Sequence, residues 1–301
     1  MKKTQTLYEE YRALPQWYYH LTFDSLETGQ LFYSDEDYAH GMNSVAIGQF
    51  TCKISIIAFN LMVNHCHILA SGTGEKMVKF FSFMKRRLND RLRTGGHPEL
   101  AENYGFKLVR VEDERQLKDT IIYIARNPLK ACPDIAPGGY PWGSTSLIFN
   151  KMNKYFSWIE IKDLSKREKE RYLRTHVSLP DDYHWNKKLG LVLPESYVLT
   201  WKAEKVLGNS WNYAYDIVRK IDAYIKIAEG IGEMVILTDN ELDEIIRQNV
   251  RKMFNADSVR ELGTDDRCRL AVMLRNKYKV TPKRIARKLQ INVATLNKLL
   301  G

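Results

Sequence analysis

Cysteine is scarce in this 301-residue chain. Its four cysteines, Cys52, Cys66, Cys132 and Cys268, form no CxxC pair. We therefore expect neither a disulfide framework nor a cysteine zinc site, and the composition fits a reducing cytosol. The chain also lacks an apolar run near the roughly 20 residues that span a bilayer. Its first residues contain no apolar h-region, so we expect no signal peptide.

Acidic residues are outnumbered: 46 Lys and Arg face 36 Asp and Glu, for a net charge of +10. Residues 264–301 hold ten basic and two acidic residues, a net +8, which leaves +2 for the rest of the chain. A compact basic module suggests a polyanion partner, with nucleic acid as the first candidate. Hydrophobic residues at 44% and charged residues at 27% are typical of a globular protein and exclude a disordered or fibrous one.

Strand and helix patterns alternate in the first half of the chain. Residues 17–23, 53–59, 64–70 and 106–111 have the β-branched and aromatic content of strands. Helical patterns cover about 34–50, 77–92 and 112–127, and the third is expected to end before Pro128. This order predicts an α+β fold with an antiparallel sheet and helices on one face, followed by an all-α C-terminal region.

The clearest breaks in the pattern are the prolines and glycines between residues 133 and 143. They predict that a first domain, residues 1–150, ends nearby. Residues 151–262 form a mostly helical middle region to which no motif assigns a role. Its best-defined helix starts at the capping box of Thr238 and Glu241.

The basic module, residues 263–301, has helical patterns at 266–278, 282–289 and 293–300. The short link at 290–292 is typical of a helix-turn-helix. Thr295, Asn297 and Lys298 would lie on the exposed side of a recognition helix, with Lys283 and Arg284 as further DNA contacts.

The most specific chemical signal begins with His65-Cys66-His67 in a predicted strand. Side chains two apart in a strand share a face, so the two imidazoles can converge on one divalent ion while Cys66 points to the opposite layer. An HxH pair also arises by chance, and the alternative is two core histidines.

Tyr123 and Asn127 are four residues apart and share one face of the third predicted helix. A tyrosine phenol can attack phosphorus when a metal polarises the phosphate. The amide oxygen of Asn127 could be a third ligand beside the two imidazoles, a set that suits Mg²⁺ or Mn²⁺. The alternative is a core tyrosine and an asparagine that caps the helix before proline.

Basic and aromatic residues suggest DNA contacts. Residues 76–93 hold seven basic residues and one acidic residue, and Lys85, Arg86, Arg87 and Arg91 are predicted to form a phosphate-contacting ridge. A solvated helix face is the alternative. The aromatic residues 17–19 could stack on the bases of a single strand, although core packing is their more usual role.

Three segments together resemble the single-tyrosine transposases of the HUH superfamily. Residues 61–69 resemble their histidine–hydrophobic–histidine motif, residues 123–131 their nucleophile helix, and residues 140–144 the segment that closes their catalytic domain. The REP-associated tyrosine transposases, several of which carry a C-terminal helix-turn-helix, are the most similar branch. The family commonly has proline where Val63 stands and often histidine where Ala125 stands, but neither is a site residue. The resemblance covers about residues 15–150 well and the tail loosely.

The resemblance implies a ferredoxin-like catalytic domain that acts on single-stranded or hairpin DNA. In that family's terms His65 and His67 bind Mg²⁺ or Mn²⁺, Asn127 is the third ligand, and Tyr123 is the nucleophile that forms a 5′-phosphotyrosine. The expected activity is DNA nicking and strand transfer in transposition or repeat mobilisation. We expect a cytoplasmic, nucleoid-associated protein without a membrane partner. Duplex DNA is an expected partner of the tail, and the sequence is compatible with a homodimer.

Two other functions remain open from the sequence. One is a catalytically inactive DNA-binding regulator that uses the tail, although the retained histidines, Tyr123 and Asn127 argue against it. The other is a relaxase-type or replication-initiator nickase, which shares the chemistry. The Tyr-x-x-x-Asn-Pro segment favours the transposase branch.

Overall fold

The computed structural model describes residues 8–23, 29–131, 139–150, 157–219, 221–233 and 237–300. The chain divides into two compact units, residues 1–231 and 232–301. Much of the proline- and glycine-rich stretch that predicts the first boundary lies outside the described residues, and the division at 150 and 262 stays a prediction.

The first unit contains a four-stranded sheet and a smaller three-stranded one. Its strands are β1 Trp17–Phe23, β2 Ser55–Leu61, β3 Cys66–Gly72, β4 Phe106–Arg110, β5 Ile159–Glu160, β6 His184–Asn186 and β7 Leu191–Val192. Residues 8–12 are helical, and the α-helices after β1 are α1 Asp35–Cys52, α2 Gly74–Thr94, α3 Glu114–Ala131, α4 Lys166–Leu173, α5 Thr200–Leu207, α6 Ser210–Arg219 and α7 Ile221–Ile231.

The larger sheet has the strand order β2-β3-β1-β4, and every neighbouring pair is antiparallel. With α1 between β1 and β2, and α2 between β3 and β4, the order is β-α-β-β-α-β. This is the ferredoxin-like arrangement. The predicted α+β class and antiparallel sheet are therefore confirmed.

One face of this sheet is covered by α1 and α2, as predicted. Successive side chains of a strand point to opposite faces, so Tyr19, Leu21 and Phe23 of β1 share one face. Phe23 meets the ring of Phe81 from α2 edge-on, with ring centroids 5.2 Å apart. All four side chains are at most 1% exposed, so this face is the apolar core.

The opposite face is not left to solvent, because α3 lies against it. Tyr123 of α3 contacts His20 of β1 and His67 of β3, which alternate with the core residues of their strands. Helices therefore cover both faces of the sheet. The prediction of helices on one face holds for α1 and α2 but does not include α3. The strand pattern shows why: β3 is buried along nearly all its length, and a strand buried on both sides gives no alternation of apolar and polar residues.

The third helix continues through Pro128 instead of ending before it. Proline has no N–H, so the carbonyl four residues earlier, on Ile124, loses its helical partner. Asn60 of β2 replaces that partner, since its Nδ2 donates to the Ile124 oxygen at 2.8 Å. Asn60 Oδ1 in turn accepts a hydrogen bond from Thr145 Oγ1 at 2.9 Å. This buried network compensates for the proline and joins α3 to the edge strand β2.

The segment that follows residue 139 covers part of the β2 edge. Gly143 forms an antiparallel bridge with Asn60. A Cβ at Gly143 would collide with the Asn60 side chain and the Phe59 carbonyl, so only glycine allows this approach. The covered edge cannot pair with another chain.

The middle region is not all helical, which corrects the prediction of an all-α C-terminal region. Strands β5, β6 and β7 form a second antiparallel sheet. The Asn43 side chain of α1 donates to the Gly190 carbonyl at 2.9 Å and accepts from the Val192 N–H at 2.8 Å. Strands of two or three residues are too short to show a period in the sequence, and contacts with α1 stabilise them.

The second unit is built from helices. They are α8 Asp239–Phe254, α9 Thr264–Tyr278, α10 Pro282–Leu289 and α11 Val293–Leu300. The capping box predicted at Thr238 and Glu241 begins α8, and the last three helices match the predicted tail within two residues. No helix in the described part of the chain is long and apolar enough to cross a membrane.

Replacing Asn60 with leucine, at a similar side-chain size, removes the donor to Ile124 and also the acceptor of the Thr145 hydroxyl. We expect the free energy of unfolding to fall by about 1–3 kcal/mol, because a buried carbonyl that loses its hydrogen bond keeps its desolvation cost. Urea unfolding followed by circular dichroism measures the change. Asn150→Leu, at an exposed position, is the matched control, and an equal loss in both variants would contradict the role of Asn60.

Candidate metal and tyrosine site

The two histidines of the predicted motif lie together at the start of β3. His67 is in the strand, whereas His65 belongs to the turn before it, where the Met62 N–H donates to the His65 carbonyl at 2.8 Å. Because β3 begins at Cys66, only the second histidine of the pair lies in the strand, whereas the sequence predicted both there. The ring centroids are 4.7 Å apart, and the candidate ligand atoms lie within 4.8 Å of one another. The two histidines are therefore close enough to bind a single ion together.

Cys66 lies between the histidines and points to the other layer, as predicted. Its side chain is 0% exposed and belongs to the apolar core with α1 and α2. Burial raises the pKa of the Cys66 thiol well above its ordinary value. Because a thiol is a metal ligand only as the thiolate, Cys66 is a core residue and not a ligand.

Each imidazole has a polar neighbour at Nδ1. His65 Nδ1 lies 2.7 Å from Asn64 Oδ1, and His67 Nδ1 lies 3.2 Å from His20 Nε2. Metal-bound histidines typically use one ring nitrogen for the metal and the other for such an orienting contact. Nε2 is therefore the nitrogen that each ring could offer to an ion, and both Nε2 atoms are shielded from solvent.

His20 is a site residue that the sequence did not single out. It is 2% exposed and reaches His67 across the β1–β3 pair, where Thr22 is opposite His67. His20 lies two residues before Thr22 on the same face of β1, so it is the diagonal neighbour of His67. Strand alternation predicts that His20 and Thr22 share a face, but only the register of β1 against β3 identifies His67 as the partner.

Tyr123 completes the cluster from α3. Its ring centroid lies 5.2 Å from that of His67 and 5.7 Å from that of His20, edge-on in both cases. The side chain is 0% exposed. The structure therefore brings Tyr123 to the His65–His67 pair, from which it is separated by more than 50 residues in sequence.

The Tyr123 ring is covered by a residue of the middle region. Tyr224 of α7 stacks on it at 4.9 Å with an interplanar angle of 19°. The Arg126 guanidinium lies 5.2 Å from the Tyr224 ring centroid and donates to the Ile217 carbonyl at 2.8 Å. Tyr123 is thus enclosed between the histidine face of the sheet and α7.

Asn127 lies one turn further along α3 and is 7% exposed. Its Nδ2 donates to the Tyr123 carbonyl at 3.0 Å. The amide nitrogen is used within the helix, so Oδ1 is the atom that could serve as a metal ligand. Its place in the ligand set stays a prediction.

The structure corrects the predicted basic ridge at Arg87, which is 7% exposed. Its guanidinium donates to Ser44 Oγ at 3.1 Å and to the carbonyls of Leu173 and Arg174 at 2.7 and 2.6 Å. The cation thereby satisfies carbonyls at the C-terminus of α4. Burial and the positive charge of Arg174 lower the pKa of Arg87 to about 10, so Arg87 stays charged at neutral pH as a structural residue.

The other three residues of the ridge differ in their contacts. Lys85 Nζ donates to two carbonyls of the loop before β4, at 2.8 and 2.9 Å. Arg91 Nε donates to the Asp37 carboxylate at 2.5 Å. Arg86 is exposed, with its guanidinium 5.8 Å from the Phe83 ring centroid. The four cations do not form one exposed row, because a helix against a sheet turns part of its circumference inward.

The aromatic residues of β1 also have separate roles. Tyr19 is 0% exposed and its hydroxyl donates to the Pro15 carbonyl at 2.7 Å, so its base-stacking role is wrong. Trp17 is 39% exposed, and it lines a cleft of about 350 Å³ with Tyr18 and Trp201. Base stacking on Trp17 and Tyr18 stays a prediction.

In the second unit, the predicted DNA contacts Lys283, Thr295, Asn297 and Lys298 are all exposed. Arg284 differs, because it donates to the Asp239 carboxylate of α8 at 2.8 Å. Part of the positive charge of α10 is thus neutralised inside the unit. The DNA-binding role of these five residues stays a prediction.

Comparisons with known proteins give limited information. No protein-family model matches this chain, and no curated protein matches it. A solved structure described as the REP associates tyrosine transposase bound to a REP hairpin is 14% identical to it. The match covers 46% of this chain and 82% of that one, with a TM-score of 0.36. A likeness of this degree does not by itself assign a family or an activity.

Replacing His20 with phenylalanine keeps a ring in place and removes the contact to His67 Nδ1. We expect the affinity for Mn²⁺ to fall about 10- to 100-fold, as is common when the orienting partner of a ligating histidine is lost. Calorimetric titration of the full chain with Mn²⁺ measures it. His176→Phe, at an exposed position, is the control, and unchanged affinity in His20→Phe would contradict the orienting role.

Proposed function

We propose that this chain is a metal-dependent single-strand DNA endonuclease and strand transferase with Tyr123 as its nucleophile. The observation that carries the proposal is the convergence of His65, His67 and Tyr123 in one cluster. A phenol beside two potential metal ligands is the combination that phosphoryl transfer to tyrosine requires. DNA transposition or repeat mobilisation is the proposed setting.

The residues of the cluster fit a divalent ion. His65 and His67 would hold it through Nε2, and Asn127 Oδ1 is the proposed third ligand. Three neutral ligands leave the full charge of the ion for the substrate, and Mg²⁺ or Mn²⁺ is the expected metal. When bound, the ion would polarise the scissile phosphate and stabilise the negative charge on its oxygens.

The proposed step is a transesterification. The Tyr123 phenol oxygen bonds to phosphorus and gives up its proton, while the bond from phosphorus to the 3′ oxygen breaks and that oxygen takes a proton. One phosphodiester is exchanged for another, so the products are a 5′-phosphotyrosine and a 3′-hydroxyl. A later 3′-hydroxyl can reverse the step and join DNA without an external energy source.

The enclosed position of Tyr123 adds a requirement. A phosphate cannot reach a side chain that is 0% exposed, so α7 must move before attack. The stacking of Tyr224 on Tyr123 opposes this movement. So does the hydrogen bond from Lys107 Nζ to the Ile231 carbonyl, at 2.5 Å, which holds the end of α7. We propose that binding of DNA supplies the free energy for this opening.

The helices of the second unit are proposed to bind duplex or hairpin DNA through the exposed residues of α10 and α11. Their arrangement is also the basis of the alternative function, a DNA-binding regulator without catalysis. The two functions differ in one measurable product, the covalent protein–DNA adduct.

Incubation with Mn²⁺ and labelled single-stranded hairpin oligonucleotides from the DNA that flanks the gene tests the function. We expect a band that survives denaturing electrophoresis, disappears with EDTA, and is absent for Tyr123→Phe because that variant has no nucleophilic oxygen. Filter binding at equilibrium should give the same DNA affinity for both proteins.

Tyr224→Phe is the matched control, since it keeps the stacked ring and removes only a neighbouring hydroxyl. It should form the adduct. An adduct that persists in Tyr123→Phe but disappears in Tyr224→Phe would assign the nucleophile to Tyr224. DNA binding without an adduct in the wild-type protein would favour the regulator.

Tyr224→Ala removes the ring that covers Tyr123. We expect the single-turnover rate of adduct formation to rise roughly 2- to 10-fold, the factor that corresponds to the loss of one aromatic stacking contact. Quenched reactions at saturating DNA measure this rate. Tyr215→Ala, on an exposed part of α6, should leave it unchanged, and a slower rate in Tyr224→Ala would show that the ring positions Tyr123 instead of covering it.

A further inference from the structure

A second cleft in the first unit carries an excess of positive charge. Its volume is about 570 Å³, and it lies between α1, α2, the end of α4 and the turn that joins β6 to β7. Five cationic side chains line it: Arg91, Arg171, Arg174, Lys187 and Lys188. Asp35 and Glu36 also line it, and the Asp37 carboxylate neutralises Arg91, so the excess of positive charge is two.

Two buried side chains fix the walls of this cleft. Arg87 binds the carbonyls of Leu173 and Arg174 and thereby holds the end of α4. Asn43 binds Gly190 and Val192 and holds the other end of the turn that carries the two lysines. The backbone of both cationic walls is therefore set by the fold, and only the long side chains adjust.

His40 lies in the wall that α1 contributes. It is 9% exposed, and among the described residues its buried Nδ1 has no hydrogen-bond partner. Burial and the charges of Arg87, Arg91 and Arg174 lower the pKa of His40 to about 3. The imidazole is therefore neutral at physiological pH and retains one N–H that can donate to an anionic oxygen.

Aromatic side chains complete the lining. Trp142 and Tyr172 are half-buried at the cleft. A positively charged groove with aromatic surfaces is the combination that binds single-stranded nucleic acid, because the cations follow the phosphates and the rings contact bases. The volume is that of a pocket for a whole small ligand and exceeds what one phosphate needs.

We infer that the cleft of Arg171, Lys187 and Lys188 binds the backbone of single-stranded DNA, outside the site of Tyr123. The choice of DNA over another polyanion rests on the proposed function. The cleft then gives residues 157–199 a role, because α4 and the β6–β7 turn supply four of its five cations. The strand that Tyr123 cleaves would be held at a second place on the same unit.

The test uses the full chain with Tyr123→Phe, so that DNA is bound and not cleaved. Fluorescence anisotropy with a labelled 20-nucleotide single strand is measured from 0.05 to 0.3 M KCl for this protein and for the same protein with Lys187→Gln and Lys188→Gln. Each lost phosphate contact lowers the slope of log K against log salt by about 0.7. We expect the slope to fall by about 1.4 and the affinity at 0.1 M salt to fall about 25-fold.

The matched control carries Lys162→Gln and Lys166→Gln, two exposed lysines that do not line the cleft. This control has the same net charge as the Lys187→Gln and Lys188→Gln protein. It should bind DNA within twofold of the parent protein. Lysine acetylation read by mass spectrometry gives a second measurement: DNA should protect Lys187 and Lys188, and not the control pair. Equal losses of affinity in both variants, or no protection of the cleft lysines, would overturn the inference. Binding of RNA but not DNA of the same sequence would also overturn it.

The outcomes separate this inference from the proposed function. The lysine substitutions are also made in the protein that retains Tyr123. If those variants form the adduct and bind DNA normally, the proposed role of the cleft is overturned and the nuclease proposal stands. Weakened DNA binding in the lysine variants, together with no adduct from the wild-type protein, supports the cleft and overturns the nuclease.

Discussion

The position of the candidate nucleophile depends on one hydrogen bond that a proline makes necessary. Pro128 lies inside α3 and leaves the Ile124 carbonyl without its helical partner, and Asn60 of β2 donates to it. Ile124 directly follows Tyr123 in the sequence, so the bond that compensates for the proline also fixes the turn of helix that carries the phenol. It ties α3 to the sheet on the face that carries His20 and His67. A helix without this proline would need no side chain from the sheet at that point.

The sheet then separates two kinds of chemistry. Alternation along β3 sends Cys66 into the apolar layer with α1 and α2, and it sends His67 to the side of α3. The pairing of β1 with β3 adds His20, whose Nε2 lies 3.2 Å from His67 Nδ1. The polar cluster is buried, because its own aromatic rings and the helices packed against it exclude solvent. A low-water site strengthens every electrostatic interaction within it, which would suit the proposed reaction on a charged phosphate.

The middle region up to residue 231 is part of the first unit and not only a connection. It supplies Tyr224 over the candidate nucleophile, and it supplies four of the five cations of the second cleft. Arg87 connects this region to the sheet domain, because its guanidinium satisfies carbonyls at the end of α4. Its burial explains why charge density along α2 does not by itself predict an exposed basic surface: a cation that satisfies carbonyls inside the fold is the same letter in the sequence as one that faces solvent.

The sequence by itself determined the elements of the larger sheet and of the tail, but not strands β5–β7, and it determined the chemical types of the predicted site residues. The spacing of His65 and His67, and of Tyr123 and Asn127, follows from local periods of two and four, and the capping box at Thr238 and the tail helices are also local signals. Tertiary structure alone decided the partners: the β1–β3 register that joins His20 to His67, the Asn60 bond that lets α3 pass through Pro128, and the cover of Tyr224 over Tyr123. These contacts join residues between 47 and 101 positions apart. Local periodicity carries no information about which distant segments meet, because that is set by the packing of whole faces.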